Sequence, residues 1–367
     1  MPLGSDQGHF LCYNIINMVY LDYAATTPLF PEVREAMYEA EAKYFANASA
    51  LHTPGHLAHN VVEKCRETLA QMVGAEPEEI IFTSGATESN NTVIRTFEGH
   101  EIEASPLEHH SILEAARIYK GDEKPKLYSY MLANNETGEF LDLPDKGDDF
   151  LHSDLTQVLG KIPIDVKELK LDYATFSAHK IGGPIGVGAL YIKKGVPFKP
   201  LLIGGLQEKK RRGGTYNTVG IAGFLKALSL VNDRGDFEKY DVEVRNLRDV
   251  LAERILKEIP GSSLNTNIKK SESLPNILNV SFKAAEGESI QLYLDAEGII
   301  VSTGSACAAG DIKPSHVLMA KTGDAEVAHS SIRFSFSPEN TMEDVEKVMA
   351  SLPGIIDRLQ KVSTIKL

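Results

Sequence analysis

The chain is 367 residues long, with 43% hydrophobic and 24% charged residues and a formal net charge of −13. That length supports a large core and two domains. The acidic balance argues against direct nucleic-acid binding and against anionic membranes as partners, and no stretch is long and apolar enough for a transmembrane helix. The three cysteines, Cys12, Cys65 and Cys307, are too widely spaced for a disulfide framework or a zinc site, so a reducing, cytoplasmic location is expected.

Residues 1–17 show no apolar periodicity, and their short apolar patch lacks the flanks of a signal peptide. They read as an expression remnant or a loose leader, which makes Cys12 irrelevant to function. Apolar residues recur at helical spacing over 31–45 and again over 55–73. In the second helix Val61, Val62, Cys65, Leu69, Met72 and Val73 share a face, so Cys65 is expected to be a buried small hydrophobe. Residues 79–82 read as a buried strand, and Thr83-Ser84-Gly85-Ala86-Thr87 opens the next helix. Strand and helix signals alternate to about residue 225, the pattern of an α/β domain with a mainly parallel sheet. After Asp233 come a charged helix (235–258), a strand (276–282), a helix near 287–296, a Gly/Ser/Ala loop around Cys307 and a strand (331–336). A last helix then starts at Thr341, with Asp344 three residues on. The expected division is a segment 18–30 near the domain junction, a large domain 31–233 and a smaller α+β domain 234–367.

Several stretches carry chemistry, each with a plain structural alternative. Ser177-Ala178-His179-Lys180 ends a strand and precedes a glycine-rich run, which presents an amine to a pocket as a carbonyl cofactor requires; read alone, Lys180 is equally a solvated lysine. Ser84 to Ser89 lies between strand and helix, where free backbone N–H groups bind anions, or where Ser84 or Thr87 simply caps the helix. Asp154 falls near a strand's C-terminal end, where open α/β sheets collect ligands, and reads either as a partner for a heteroaromatic nitrogen or as a turn residue. His109 and His110 stand at a strand-to-helix turn, placed to stack on a ring or shuttle a proton, or are structural. Asn134 to Gly138 reads as a turn in which Asn135 tolerates an unusual backbone conformation. Arg211 to Thr215 is a basic, glycine-rich loop suited to a phosphate or a carboxylate. Arg333, inside an apolar strand, needs an anion, either a substrate carboxylate or a structural ion pair. Cys307 sits among small residues that suit a reactive thiolate or an incidental cysteine.

Taken in order, these motifs resemble the cysteine desulfurases. The resemblance rests on Tyr20-Leu21-Asp22-Tyr23-Ala24-Ala25-Thr26-Thr27-Pro28, Phe82-Thr83-Ser84-Gly85-Ala86-Thr87-Glu88-Ser89, Asn134-Asn135-Glu136-Thr137-Gly138, Ser177-Ala178-His179-Lys180 and Gly304-Ser305-Ala306-Cys307. It runs from about Val19 to the C-terminal helix. The Gly-Ser-Ala-Cys loop resembles the branch that feeds iron–sulfur cluster assembly and tRNA thiolation.

The resemblance implies an aspartate-aminotransferase-like α/β fold, a mainly parallel central sheet with helices on both faces plus a smaller α+β domain, and pyridoxal 5'-phosphate as cofactor. It implies Lys180 as the Schiff-base lysine, Asp154 on the pyridinium nitrogen and His109 stacked on the ring. Gln157 and Asn135 would meet the phenolic oxygen or the substrate. Ala86, Thr87, Ser177 and His179 would hold the phosphate, joined by Thr215 from the second subunit of a homodimer. Arg333, assisted by Asn47, would bind the carboxylate of L-cysteine. Lys180 would move the Cα proton and Cys307 would take the sulfur as a persulfide, leaving alanine, for delivery to a scaffold or tRNA-thiolation protein.

The chain also departs from the family. Residues 111–132 and 138–152 are short, the latter where a full helix is expected; Leu155 replaces the usual alanine, and Arg212-Gly213-Gly214-Thr215 replaces Arg-Ser-Gly-Thr. A peripheral strand or helix is expected to be missing. Two rival readings remain, a selenocysteine lyase or another pyridoxal-phosphate lyase or transaminase of this fold, and a non-catalytic docking subunit. A transaminase needs no loop thiol such as Cys307, and a docking subunit has no need to keep Lys180 and Asp154.

Overall fold

The structure, a computed structural model, describes residues 18–303 and 314–363. The chain opens with β1 (Val19–Tyr20) and a strap that reaches Phe30, whose amide donates to Gly182 O at 3.1 Å. Helix α1 (Pro31–Lys43) starts on a proline, which suits a first turn, and stops two residues before the sequence pattern does. Helix α2 (Thr53–Val73) begins earlier than its apolar stripe because His52 Nδ1 accepts the Gly55 amide at 3.2 Å. Its stripe packs inward, and Cys65 is fully buried, as expected.

The main sheet and its covering helices follow. In chain order they are β2 (Ile80–Thr83), α3 (Ala86–Thr96), β3 (His100–Ala104), α4 (His110–Tyr119), β4 (Glu123–Ser129), β5 (Phe150–Asp154), β6 (Tyr173–Ser177), β7 (Gly188–Ile192) and α5 (Thr218–Arg234). The strand order is β2-β7-β6-β5-β4-β3. Strands β3 to β6 pair in parallel, while β7 runs antiparallel to both its neighbours. The link from β6 to β7 is too short for a crossover helix, so β7 must return antiparallel. Alternation along the strands divides the core. Ile80, Phe82, Ala174, Phe176, Ala189 and Tyr191 pack with α2 and α5, whereas Ile81, Tyr173, Leu190 and Ile192 pack with Val93 and Ile94 of α3 and Ile112 of α4.

The short segments have a visible consequence. No helix lies between Gly138 and β5, and α4 passes to β4 through residues 120–122 alone. Strand β3 is left at the sheet edge. It is guarded by charge, with Lys124 on Glu101 at 2.7 Å and Lys126 on Glu103 at 2.5 Å.

The remaining elements are α6 (Phe237–Glu258), β8 (Ser262–Leu264), β9 (Ile277–Phe282), α7 (Gly287–Ala296), β10 (Ile299–Ile300), α8 (His316–Thr322), α9 (Ala325–His329), β11 (Ser331–Ser335) and α10 (Met342–Val362). Strands β11, β9 and β8 form an antiparallel sheet, and β10 pairs in parallel with β1. A second apolar core gathers Val244 and Leu251 of α6, Val280 and Phe282 of β9, and Val348 and Leu352 of α10. Thr341 caps α10 as the sequence indicates, in a reciprocal box with Asp344. Helices α8 and α9 are not anticipated by the sequence pattern, being too short to show a period.

One close approach ties the sheet to the site. A Cβ on Gly188 would stand 2.6 Å from Gly85 Cα and 2.7 Å from Phe176 O, both backbone atoms that cannot step aside. Gly188→Ala is therefore expected to destabilise the fold by about 1–3 kcal/mol, the range for overpacking, and to lower Tm by several degrees. A wild-type Tm for this variant would contradict the packing described.

Candidate active site

Lys180 is set by a strand that ends abruptly. After β6 the chain makes a single tight turn, Ala178–Ile181, closed by Gly182 in the left-handed region at φ 75°. A side chain at Gly182 would also strike the Phe30 ring at 2.3 Å. The turn leaves Lys180 Nζ donating to Ala24 O at 2.6 Å and Ala25 O at 2.7 Å, on the wall of a cavity of about 430 Å³.

Strand β5 delivers Asp154 to the same cavity from its C-terminal end. The carboxylate is buried and doubly held, by Asn90 Nδ2 at 2.8 Å and by the Thr156 amide at 2.9 Å. Asn90 also donates to Ser111 Oγ at 2.9 Å, and that hydroxyl lies 2.8 Å from His109 Nδ1. The same ring nitrogen accepts the Ser111 amide at 3.1 Å, which leaves the proton of a neutral ring on Nε2. Burial holds the His109 pKa below its usual value, and Lys180 pushes in the same direction against Asp154. Asp154 and His109 are thereby oriented through one chain of hydrogen bonds. Sequence reasoning missed Asn90 and Ser111; the signal for Asn90 was a polar residue at a buried helix position.

The anion end of the cavity is the start of α3. Its N-cap is Gly85, with φ 152° and no side-chain cap, and a Cβ there would meet nothing within 4 Å. Capping by Ser84 or Thr87 is thus ruled out, and the first amides, which have no intrahelical acceptor, border open space. Ala86, Thr87, Ser177 and His179 all line the cavity. His179 Nδ1 lies 3.0 Å from Thr26 Oγ1, and burial, followed by the charges of Lys180 and Lys161, pushes its pKa down to about 4.

Gln157, Asn135 and Arg333 line the cavity too, each with a structural tie. Gln157 Nε2 donates to Ala24 O at 3.0 Å. Asn134, not Asn135, builds the 134–138 turn. Its Oδ1 accepts the amides of Glu136 and Thr137, and Gly138 takes the left-handed conformation at φ 73°, which corrects the expectation for Asn135. Arg333 forms the structural ion pair that is one of the two readings offered for it. It pairs with Asp22 at 2.7 Å, donates to Asn135 O at 2.9 Å, and still reaches the cavity.

Asn47 and Thr215 do not line this wall, the expectation for Thr215 being a role in a second copy's site. Asn47 is exposed, and its Oδ1 accepts the Ser49 amide at 2.9 Å. Thr215 is exposed and lines a neighbouring depression that shares Ser84 and Gly186 with the cavity. The loop before it meets a carboxylate within the chain, because Arg212 pairs with Glu88. Cys307, like Cys12, lies outside the described residues; Thr303, just before that stretch, borders the cavity.

The chain and its fold resemble known proteins. A model of the family Aminotransferase class-V matches residues 19–122 and 119–348. The chain is 40% identical to "Cysteine desulfurase IscS" of Dictyoglomus turgidum over 95% of its length and 97% of the relative's. It superposes on the NifS-like protein of Rickettsia africae with a TM-score of 0.84 at 32% identity, covering 93% of this chain and 99% of that one. A structure described as SspA in complex with cysteine matches at 0.73 and 30% identity, over 88% and 100% of the two chains. The chain therefore belongs to the class-V aminotransferases, pyridoxal-phosphate enzymes of the α/β fold described, and within them to the cysteine desulfurases.

The cavity fits that cofactor on its own evidence. It offers an uncapped helix N-terminus to a phosphate, a fixed carboxylate to a ring nitrogen, and a lysine amine on the same wall.

The buried residues behind the site predict a pH dependence. His152, on β5 before Asp154, lies between Ser129 Oγ at 2.9 Å and Thr175 Oγ1 at 3.0 Å, and burial pushes its pKa down to about 4. An unfolded histidine titrates near ~6.5, so between these values the unfolded chain binds a proton that the folded chain refuses. The stability is fully present above the unfolded pKa and falls as the pH drops towards the folded one. His152→Asn should accordingly lessen the slope of Tm against pH between about 6.5 and 4.5. An unchanged slope would contradict a neutral buried imidazole.

Proposed function

We propose that this protein converts L-cysteine to L-alanine and passes the sulfur, as a persulfide on Cys307, to acceptors for iron–sulfur cluster assembly or tRNA thiolation. The observation that carries the reading is the convergence on one cavity of Lys180, Asp154, His109 and the open α3 N-terminus, with Arg333 on the same wall. The relatives named cysteine desulfurase support the substrate.

Bound pyridoxal phosphate supplies an electron sink for the substrate's Cα–H and Cβ–S bonds. Lys180 is the amine that would hold the cofactor, and its Nζ would take and return the Cα proton. Ala24 O and Ala25 O aim its Nζ before substrate arrives. Asp154 keeps a proton on the ring nitrogen, since a fixed neighbouring anion raises that nitrogen's pKa, and Asn90 prevents the carboxylate from turning away. His109, uncharged, presents a flat face for stacking. Arg333 orients the cysteine carboxylate from a guanidinium already fixed by Asp22. In the transfer, the substrate's Cβ–S bond breaks and an S–S bond forms on Cys307. Cysteine and the thiol become alanine and the persulfide, with no external oxidant or reductant.

The protein is proposed to act in the cytoplasm as a homodimer, with Thr215 completing the partner copy's phosphate site. Thr215 is exposed and outside its own cavity, which that role requires. Leu51, Ile185, Ile203 and Leu206 are 76–90% exposed, a set of large apolar side chains that a second copy would cover. Among the described residues no helix is long and apolar enough to cross a membrane.

Turnover of L-cysteine, with alanine and sulfide both measured, tests the reading. Wild type should release the two in equal amounts in the presence of a reducing thiol. Cys307→Ala should lose sulfide release by at least about a hundredfold, the scale for removing a nucleophile. Sulfide release by this variant at the wild-type rate would overturn the desulfurase mechanism.

A further inference from the structure

We propose that Arg212 is the counter-charge that makes the α3 N-terminus usable by a phosphate, acting not on the phosphate but on Glu88. The inference rests on the cofactor reading above. Glu88 is the third residue of α3 and lines the cavity beside Ala86 and Thr87. Its Oε2 accepts the Ser84 amide at 2.8 Å, so a carboxylate already stands at the helix end where the phosphate must sit. Two anions at one helix terminus share the same dipole and repel each other. Left alone, Glu88 would oppose the ligand that the uncapped Gly85 turn invites.

Arg212 removes that conflict. Its Nε reaches Glu88 Oε1 at 3.0 Å and its Nη2 reaches Oε2 at 3.2 Å, a two-pronged pairing on side chains only 22% and 8% exposed. Burial raises the Glu88 pKa, yet the hydrogen bonds from Arg212 and Ser84 hold it below its ordinary value, so the pair is an ionised one. Arg212 is absent from the cavity wall and lines the neighbouring depression with Thr215. It is therefore a positioning residue that cancels charge, and its own guanidinium is already spent on Glu88.

The backbone that feeds Arg212 is unusual. Glu208, Lys209 and Lys210 have φ of 48°, 54° and 68°, consecutive left-handed residues without a glycine. Such a run persists only where its surroundings over-determine it. Glu208 is pinned by Arg66 at 2.8 Å and by the Phe82 amide at 3.1 Å, on the strand that leads into the α3 turn. The loop and the anion cradle are thus fastened to the same strand, which fixes Arg212 relative to Glu88.

Ligand titration of the apoenzyme tests this, using pyridoxal phosphate, pyridoxal without its phosphate, and inorganic phosphate. Arg212→Ala should raise the Kd for pyridoxal phosphate by about tenfold or more, the scale of one uncompensated charge at a half-buried site, and leave the Kd for pyridoxal unchanged. Glu88→Gln, with Arg212 released, should bind inorganic phosphate more tightly than wild type. The double variant Glu88→Gln/Arg212→Ala should recover most of the affinity that Arg212→Ala loses. A double variant no better than Arg212→Ala, or equal weakening of pyridoxal and pyridoxal phosphate, would make Arg212 merely a loop anchor and overturn the proposal. Should Arg212→Ala not fold, Glu88→Gln decides alone, since weaker phosphate binding by that variant contradicts charge compensation. A wild-type apoenzyme that binds pyridoxal phosphate in none of these titrations would overturn the cofactor reading itself, and this inference with it.

Discussion

Lys180 Nζ rests on the carbonyls of Ala24 and Ala25, and the rest of the site depends on the strap that supplies them. The strap's beginning is pinned to the C-terminal half of the chain, where Val19 and Tyr20 pair with Ile299 and Ile300 and the Ala24 amide donates to Ser335 Oγ at 2.9 Å. Its far end is pinned to the lysine turn, through Thr27 Oγ1 on Lys180 O at 3.0 Å and Phe30 N on Gly182 O. Between these anchors, Asp22 fixes Arg333, Ala24 O receives Gln157, and Thr26 meets His179. Groups proposed to bind cofactor and substrate therefore share one backbone segment. A shift of the strap would move the Lys180 amine and the Arg333 guanidinium together.

Charge in the cavity is sorted by partner. Positive potential gathers at the α3 N-terminus, at Lys180 and at Arg333, as an anionic cofactor and an amino-acid carboxylate require. The histidines nearest to them, His109 and His179, are driven by burial towards the uncharged form, so they add no further charge. Behind the wall, Glu136 is likewise pushed up to about 7 by burial while it accepts Ser315 Oγ at 2.5 Å. Burial thus weakens a negative charge that would otherwise compete near Arg333.

Much of this was legible in the sequence where the signal is local. The glycine run after Lys180 announces a tight turn, the stripe through Cys65 announces burial, and Thr341 with Asp344 announces a cap. Each depends on residues within a few positions of one another. The family resemblance carried the cofactor residues further, because the order of motifs along the chain is itself a long-range signal. What stayed hidden depends on contacts across the fold. Asp22 lies in a recognised motif, but its partner Arg333 is 311 positions away. Asn90 touches Asp154 across 64 positions, and Arg212 touches Glu88 across 124. The reversal of β7 follows from a short connection, which composition alone does not reveal. The 134–138 turn misled for another reason: adjacent asparagines have the same propensities, and only the hydrogen bonds show that Asn134 does the bridging while Gly138 takes the positive φ.

The central claim is that Lys180, and no other amine, holds the cofactor. Borohydride reduction of the cofactor-loaded protein, followed by peptide mapping, tests it most directly. The account predicts a single pyridoxyl label, on the peptide that contains Ser177-Ala178-His179-Lys180. The sharpest competitor is Lys161, buried nearby, whose pKa burial pushes down to about 7 and whose Nζ donates to Gln157 O at 2.9 Å. A label on Lys161, or on any lysine outside the cavity, would contradict the account.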